Sequence, residues 1–397
     1  MLFLALFLGL IALATAYQWM RLVRDTRLGR RASRFASGLL VALACSLPVL
    51  ILIWAGWSRS HAPIVNLIAF GWLGLSFYLV MLLLAADAAR LLLAIWPRKQ
   101  AHAPAAPSGE PASGAETRRV FVARGVAGGA LLAAGGIGAF GARAALWDIT
   151  TPETHVVLPR WPRALDGFSI ALLTDIHIGP TLDGRFLRHL VEKTNQLRPD
   201  LIAIGGDLVD GSVKQIGRHV AELRHLRSKY GTFFVTGNHE YYAGAGPWIE
   251  FLQRLGVEVL LNNKLAIGDV GPSGASFDLV GLPDFHAGRV GAEEPRIAKA
   301  IVGRDAEREL IVLAHQPVQI KQVALSGAGL QLSGHTHGGQ LFPFSALTQL
   351  AQPYLAGLYR HEASDTQIYV SRGSGFWGPP MRVLAPAEIS LIRVTAG

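Results

Sequence analysis

The sequence predicts an α/β domain that follows a set of membrane-spanning helices. Three observations predict it. Uncharged apolar runs of about 20 residues recur through the first third of the 397 residues. From Trp147 onward, short apolar runs alternate with amphipathic stretches. Five of those short runs end in a cluster of Asp, Asn or His. Composition agrees, because only 16% of residues are charged, against about 25% in an ordinary soluble domain. The single cysteine, Cys45, excludes a disulfide framework and a cysteine-based zinc site.

The membrane elements come first. Leu2–Met20, Phe35–Trp57 and Ile64–Ala86 are each long enough to cross a hydrocarbon core of about 30 Å. Residues 1–96 therefore read as three transmembrane helices. Residues 97–117 are rich in Ala, Pro, Ser and Gly and read as a flexible linker. Residues 118–146, built on the uncharged stretch Gly125–Ala142, read as a fourth transmembrane or twin-arginine-like segment. Thr117-Arg118-Arg119-Val120-Phe121-Val122 resembles a twin-arginine export signal, and its arginines equally suit the flank of a membrane helix. Ala14-Thr15-Ala16 reads as part of an uncleaved anchor, since no positive stretch precedes it and six arginines follow.

Charge separates the two halves. Residues 1–147 hold 14 Lys and Arg against 4 Asp and Glu, a net of +10, while residues 148–397 hold 23 against 24. A nucleic-acid binder would carry its basicity on the folded domain, so no nucleic-acid partner is expected. The excess reads as topology instead. Arg21, Arg24, Arg27, Arg30, Arg31 and Arg34 lie between the first two spans, and only Arg59 between the second and third. Arg98, Lys99, Arg118, Arg119 and Arg124 lie between the third and fourth. The positive-inside rule places the first and third loops in the cytoplasm. The expectation is a multi-pass protein of the plasma (inner) membrane with residues 147–397 extracytoplasmic.

Within residues 147–397, the runs Ser169–Thr174, Leu201–Ile204, Thr232–Thr236, Leu310–Ala314 and Leu330–Ser333 have the length and bounding residues of buried strands. Phe186, Leu190, Val191 and Leu197 share one helical face, as do Ile216, Val220, Leu223 and Leu226. Strand and helix alternating imply a sheet with covered faces. Ligands of such sheets bind outside the carboxyl ends of the strands.

Those ends carry Asp175-Ile176-His177, Gly206-Asp207, Gly237-Asn238-His239-Glu240, His315 and Gly334-His335-Thr336-His337. Oxygen and imidazole donors without thiolate suit manganese, iron or zinc. At a strand-to-loop bend, Asp175 and His177 can turn to one metal. Asn238 and His239 can project differently, one as ligand and one toward substrate. Gly206, Gly237 and Gly334 allow tight turns beside the ligands.

Asp-x-His, Gly-Asp, Gly-Asn-His-Glu, His and Gly-His-x-His, in that order, resemble the calcineurin-like metallophosphoesterases over about residues 167–397. Gly338-Gly339-Gln340 and the stretch Gly373–Arg382 resemble the membrane-associated, YkuE-like branch. The resemblance implies a two-sheet αββα sandwich. It implies a first metal on Asp175, His177, Asp207 and His337 and a second on Asp207, Asn238, His315 and His335, with Asp207 bridging. Manganese is the first expectation, iron or zinc the next. The implied reaction is hydrolysis of a phosphoester or phosphoanhydride by a metal-bridging hydroxide. His239, outside the metal set, would protonate the leaving oxygen or stabilise the phosphoryl group. Membrane tethering favours an envelope or lipid-linked substrate. The alternatives are an inactive sensor or scaffold on the same fold, and a UDP-sugar-lipid pyrophosphatase.

Each piece also has a bland reading, since a lone Asp-x-His is usually a solvated turn. Asp284-Phe285-His286 reads as an ordinary loop before a pocket-shaping one, and Asp210 as a helix cap before a support of the site. Glu240 could orient His239. Arg372 and Arg382 read as salt-bridge partners before phosphate ligands. Phe376 and Trp377 could pack, line the groove or meet lipid.

Overall fold

The structure, a computed structural model, describes residues 2–56, 63–96, 113–271 and 274–397. The chain divides into two units: Met1–Ser58 with Ile64–Phe140, and Arg59–Pro63 with Gly141–Gly397.

The long helices are α1 (Leu2–Trp19), α2 (Arg30–Gly56), α3 (Pro63–Ile95) and α4 (Ser113–Leu146). Among the described residues, the four stretches Leu4–Arg24, Arg30–Ile53, Pro63–Ile95 and Thr117–Leu146 are long and apolar enough to cross a membrane. A helix meets its own backbone hydrogen bonds, which hydrocarbon requires. Within the first unit, side chains tie α1 to α3. Tyr17 Oη donates to Asp87 Oδ2 at 2.6 Å, and Gln18 Nε2 donates to Ser76 Oγ at 2.6 Å. The segment read as a linker is helical over 113–117, the start of α4. Its remainder, 97–112, lies outside the described residues, as do Trp57 and Arg59.

The second unit holds two six-stranded sheets. The strands of the first are β1 (Glu153–Leu158), β2 (Phe168–Leu173), β3 (Leu201–Ile204), β4 (Thr232–Phe234), β5 (Glu258–Val259) and β12 (Ser390–Ala396), in the order β1-β12-β2-β3-β4-β5. The second contains β6 (Asn263–Gly268), β7 (Ser276–Gly281), β8 (Leu310–Leu313), β9 (Leu330–Ser333), β10 (Gly357–Arg360) and β11 (Gln367–Val370), ordered β10-β11-β9-β8-β7-β6. The strands β2, β3, β4 and β5 are parallel, as are β7, β8, β9 and β11.

Period-two alternation explains the layering. Ile170, Leu172, Leu201 and Ala203 point into an interior shared with Ile311, Leu313, Leu330 and Leu332 of the other sheet. Ala171, Leu173, Ile202 and Ile204 point the opposite way, onto Phe186, Leu190, Ile216 and Val220. These last belong to α5 (Gly184–Gln196) and α6 (Val213–Val220). Leu310 and Val312 face Ile297, Ile320 and Val323 on the far side. The result is helices, sheet, sheet, helices, as the αββα reading requires. All five strands read from the sequence are present, and the second helical face continues beyond α6 as a 3-10 turn over Ala221–His225.

Candidate metal centre

Five of the parallel strands, β2, β3, β4, β8 and β9, each give way at the carboxyl end to one of the predicted clusters. The chain turns sharply at those ends. Asp175, His177, Asp207, His335 and His337 all adopt left-handed backbone, with φ between 51° and 71°. Non-glycine residues rarely do so, at a cost of about 1–3 kcal/mol each. The tight bends throw these side chains inward rather than continuing the strands. Gly334 is needed at its bend because a Cβ there would strike Thr174 and the Asp175 carboxylate.

Three groups of candidate ligands result. Asp175, His177 and His337 form the first, Asp207, His315 and His335 the second, and His177, Asp210 and His239 a third that shares His177 with the first. In the first, His337 Nε2 lies 3.4 Å from Asp175 Oδ1 and 3.2 Å from His177 Nε2. In the second, His315 Nε2 lies 3.2 Å from Asp207 Oδ2. Asp207 Oδ2 is also 4.0 Å from His177 Nε2, so this carboxylate reaches toward both groups. Asn238 is buried, and its Oδ1 has no protein partner. The same is true of His335 Nδ1. Orphaned buried acceptors are uncommon, and here they converge with carboxylates, so the donor set fits divalent cations. His315 Nδ1 meets the Gly205 carbonyl at 2.8 Å; donating there leaves Nε2 with its lone pair toward Asp207.

The electrostatics divide the candidate ligands: burial opposes charge on the His315 ring, but Asp207 outweighs it and holds His315 well above the usual histidine range. Burial, then the neighbouring His315, pushes His335 down to about 4, and burial with His177 holds His337 well below the usual histidine range. Both rings are thereby kept neutral, the form that ligates metal. His239 behaves differently. Burial opposes charge on its ring, but Asp207 and Asp210 outweigh burial and push it up to about 9. Its Nδ1 meets Asp210 Oδ1 at 2.5 Å, and its Nε2 stands 4.0 Å from Asp207 Oδ2.

Several neighbours depart from the sequence reading. Asp210 is not the cap of α6; Ser212 and Gln215 form that capping box. Asp210 instead joins His239 to His177, whose Nδ1 lies 3.2 Å from Asp210 Oδ2. Glu240 does not orient the His239 ring. Its carboxylate accepts from the backbone N–H of Asp207, Leu208 and Gly237 at 2.6–2.9 Å, pinning two ligand loops together. Arg372 pairs with Glu388 at 2.7 Å as expected. Arg382 has no carboxylate partner; fully buried, it donates to the carbonyls of Gly375, His337 and Ala385 and meets His337 Nδ1 at 3.1 Å. Asp284 is buried, not a free loop residue, and accepts from Gln316, the neighbour of His315. Phe376 is core, whereas Trp377 is exposed with its ring 5.8 Å from that of His239. A Gly-Asp-x-x-Asp spacing was the available signal for Asp210; the Gly373–Arg382 stretch marks Arg382 but not its contact with the His337 loop.

The calcineurin-like phosphoesterase family profile matches residues 168–339. An uncharacterized metallophosphoesterase of Aquifex aeolicus is 32% identical over 56% of this chain and 82% of its own length. Bacillus subtilis YkuE, another uncharacterized metallophosphoesterase, is 29% identical over 68% of this chain and 93% of its own. A Danio rerio transmembrane protein with metallophosphoesterase domain is 36% identical over 60% of this chain and 56% of its own. The chain spans 63% of the length of the Helicobacter pylori relatives it matches.

Proposed function

The chain belongs to the calcineurin-like metallophosphoesterase family, and we propose that it is a membrane-anchored phosphohydrolase cleaving a phosphoester or phosphoanhydride at two divalent metal ions. One observation carries this reading: two groups of buried ligand atoms, several of them orphaned, meet at the Asp207 carboxylate. Asp175, His177, Asp207 and His337 would hold one ion, and Asp207, Asn238, His315 and His335 the other. When bound, such a pair offsets phosphoryl charge and acidifies a water for attack on phosphorus. The donor types suit manganese, iron or zinc, and the resemblance to the YkuE-like branch puts manganese first.

The chain's own residues supply the rest. His239 is the general acid. The Asp210 carboxylate faces its Nδ1, which keeps the ring protonated and leaves Nε2–H free for the departing oxygen. Arg382 holds the His337 loop from behind through the His337 main-chain carbonyl. The four membrane-length helices favour an envelope or lipid-linked substrate and the plasma membrane as location. Their arginine distribution favours an extracytoplasmic catalytic unit.

The test uses the full chain in lipid nanodiscs, loaded in turn with manganese, zinc and iron. Phosphomonoesters, phosphodiesters and pyrophosphates are assayed with each. Elemental analysis should find close to two ions per chain, and Asp207→Asn should deplete both. One tightly held ion in the wild type, unchanged in the variant, would remove the binuclear assignment.

A further inference from the structure

The rim of the metal centre is apolar, and the apolar character follows one continuous path. It begins at Trp377, beside His239. Trp377 N–H donates to Gln340 Oε1 at 3.1 Å, and Gln340 Nε2 donates back to the Trp377 carbonyl at 2.9 Å. From Gln340 the chain reaches Phe342, whose N–H donates to the Val383 carbonyl, so Phe342 lies alongside Leu384. The helix α11 (Phe344–Ala351) follows, and none of its residues is buried. Its Phe344 and Leu347 line a cavity of about 220 Å³ together with His335 and Thr336. The path therefore meets the catalytic centre at both ends, at His239 and at His335.

Exposure along it is high: Trp377 53%, Leu384 72%, Phe344 51%, Leu347 58% and Leu350 86%. Exposed apolar side chains gathered beside a polar centre mark a binding site. Charge narrows the choice of ligand. No Asp, Glu, Lys or Arg occurs from Gly338 to Tyr359. A surface that docks on anionic headgroups or nucleic acid would carry Lys or Arg. The side chains are aliphatic as well as aromatic, and they extend well past the footprint of one stacked ring.

We propose that this rim is the subsite for the hydrocarbon chain of an amphiphilic phosphoester, whose phosphate lies at the metal centre. The proposal rests on the phosphoesterase reading above and names its substrate class. The path favours a chain attached to the reacting phosphate over a second protein, because it starts at the general acid and shares its cavity with a candidate ligand.

The test is a binding series of n-alkylphosphonates, butyl to dodecyl, titrated calorimetrically into the full chain, manganese-loaded, in nanodiscs. Hydrolysis of 4-nitrophenyl phosphate is followed in parallel. Burying a methylene contributes about 0.8 kcal/mol, so affinity should rise by up to about fourfold per added carbon. Leu347→Ser and Leu384→Ser should flatten that slope. Both side chains are exposed, so neither substitution threatens folding, and comparison in the same nanodisc cancels partitioning into lipid. A flat series in the wild type, with free ligand determined against empty nanodiscs, overturns the subsite, as does an equal slope in wild type and variants. So does a changed oligomeric state in the variants with the slope intact, which would make the rim a contact between copies. A slope that the variants flatten, without any hydrolysis, would keep the subsite and remove the phosphoesterase reading.

Discussion

Replacing Asp210 with Asn isolates the electrostatic half of the His239 assignment. The amide keeps the size of the side chain and an oxygen able to accept from Nδ1–H, and removes only the charge. His239 stands at about 9, against an ordinary value of 6.5, with Asp207 and Asp210 both raising it against burial. A raised histidine is protonated below its pKa and loses its proton as pH climbs through the raised value. An opposite charge in contact shifts a group by about 1–3 units. With Asp207 still present, loss of Asp210 should lower His239 by about one to two units. At pH 8 a group of pKa about 9 is about 90% protonated, and one of about 7.5 only about a quarter protonated. Turnover of a poor leaving group such as an alkyl phosphate should then fall about fourfold at pH 8 from protonation alone, and hardly at pH 6. Bound cations lower both profiles together, so the comparison is the displacement of the alkaline limb. The assay is kcat/KM against pH for alkyl and 4-nitrophenyl phosphates, with metal content measured beside it because Asp210 also approaches His177. An unmoved alkaline limb, or an equal loss for both leaving groups at every pH with metals retained, would refute the reasoning.

The other expectations concern metal, packing and topology. His239→Ala should keep its metals and lose about 10²–10⁴-fold in turnover of alkyl phosphates, and much less for 4-nitrophenyl phosphate, whose leaving group needs little protonation; elemental analysis and the two rates separate the cases. His337→Ala should instead lose metal, with activity partly restored by excess manganese. Gly334→Ala should push the new methyl into Thr174 and the Asp175 carboxylate, lowering metal affinity at the first group; a metal titration like that of the wild type would show that the loop yields. A reporter fused after Gly397 should work only outside the cytoplasm, and activity confined to the cytoplasm would reverse the orientation.

The strand runs were legible because each is a short apolar segment closed by a polar cluster, and all five are strands. The sandwich was not legible from those runs alone. Its closure depends on β12 entering between β1 and β2, a pairing across more than 200 residues that no local pattern announces. The site divides the same way. Asp175, His177, Asp207, Asn238, His315, His335 and His337 stand out because each lies at a strand end within a short motif. Asp210 is ambiguous locally: an Asp two residues before Ser212 reads as a helix start, and only the fold brings His239 against it. Arg382 is harder still, since it reaches His337 across 45 residues of chain.

The left-handed ligand positions carry a further consequence. Five such residues at about 1–3 kcal/mol each are a cost the surrounding structure must offset. Metal binding is one source. Glu240 is another, present without any ion. Burial and the Asp207 charge push its carboxyl up, toward the neutral form, while main-chain donors oppose them. Those donors are the N–H groups of Asp207, Leu208 and Gly237, the residues that frame the shared carboxylate and Asn238. Asp207 is itself clamped by the His239 N–H at 2.8 Å. Asp175 accepts from the His335 N–H and from Thr174 Oγ1. Each carboxylate that would face a cation is therefore already oriented by donors of the protein, and each bend is tied to a neighbouring bend rather than left to the metal. A centre built this way spends little reorganisation on loading its ions, and its geometry is set by the ends of β2, β3, β4, β8 and β9 before they arrive.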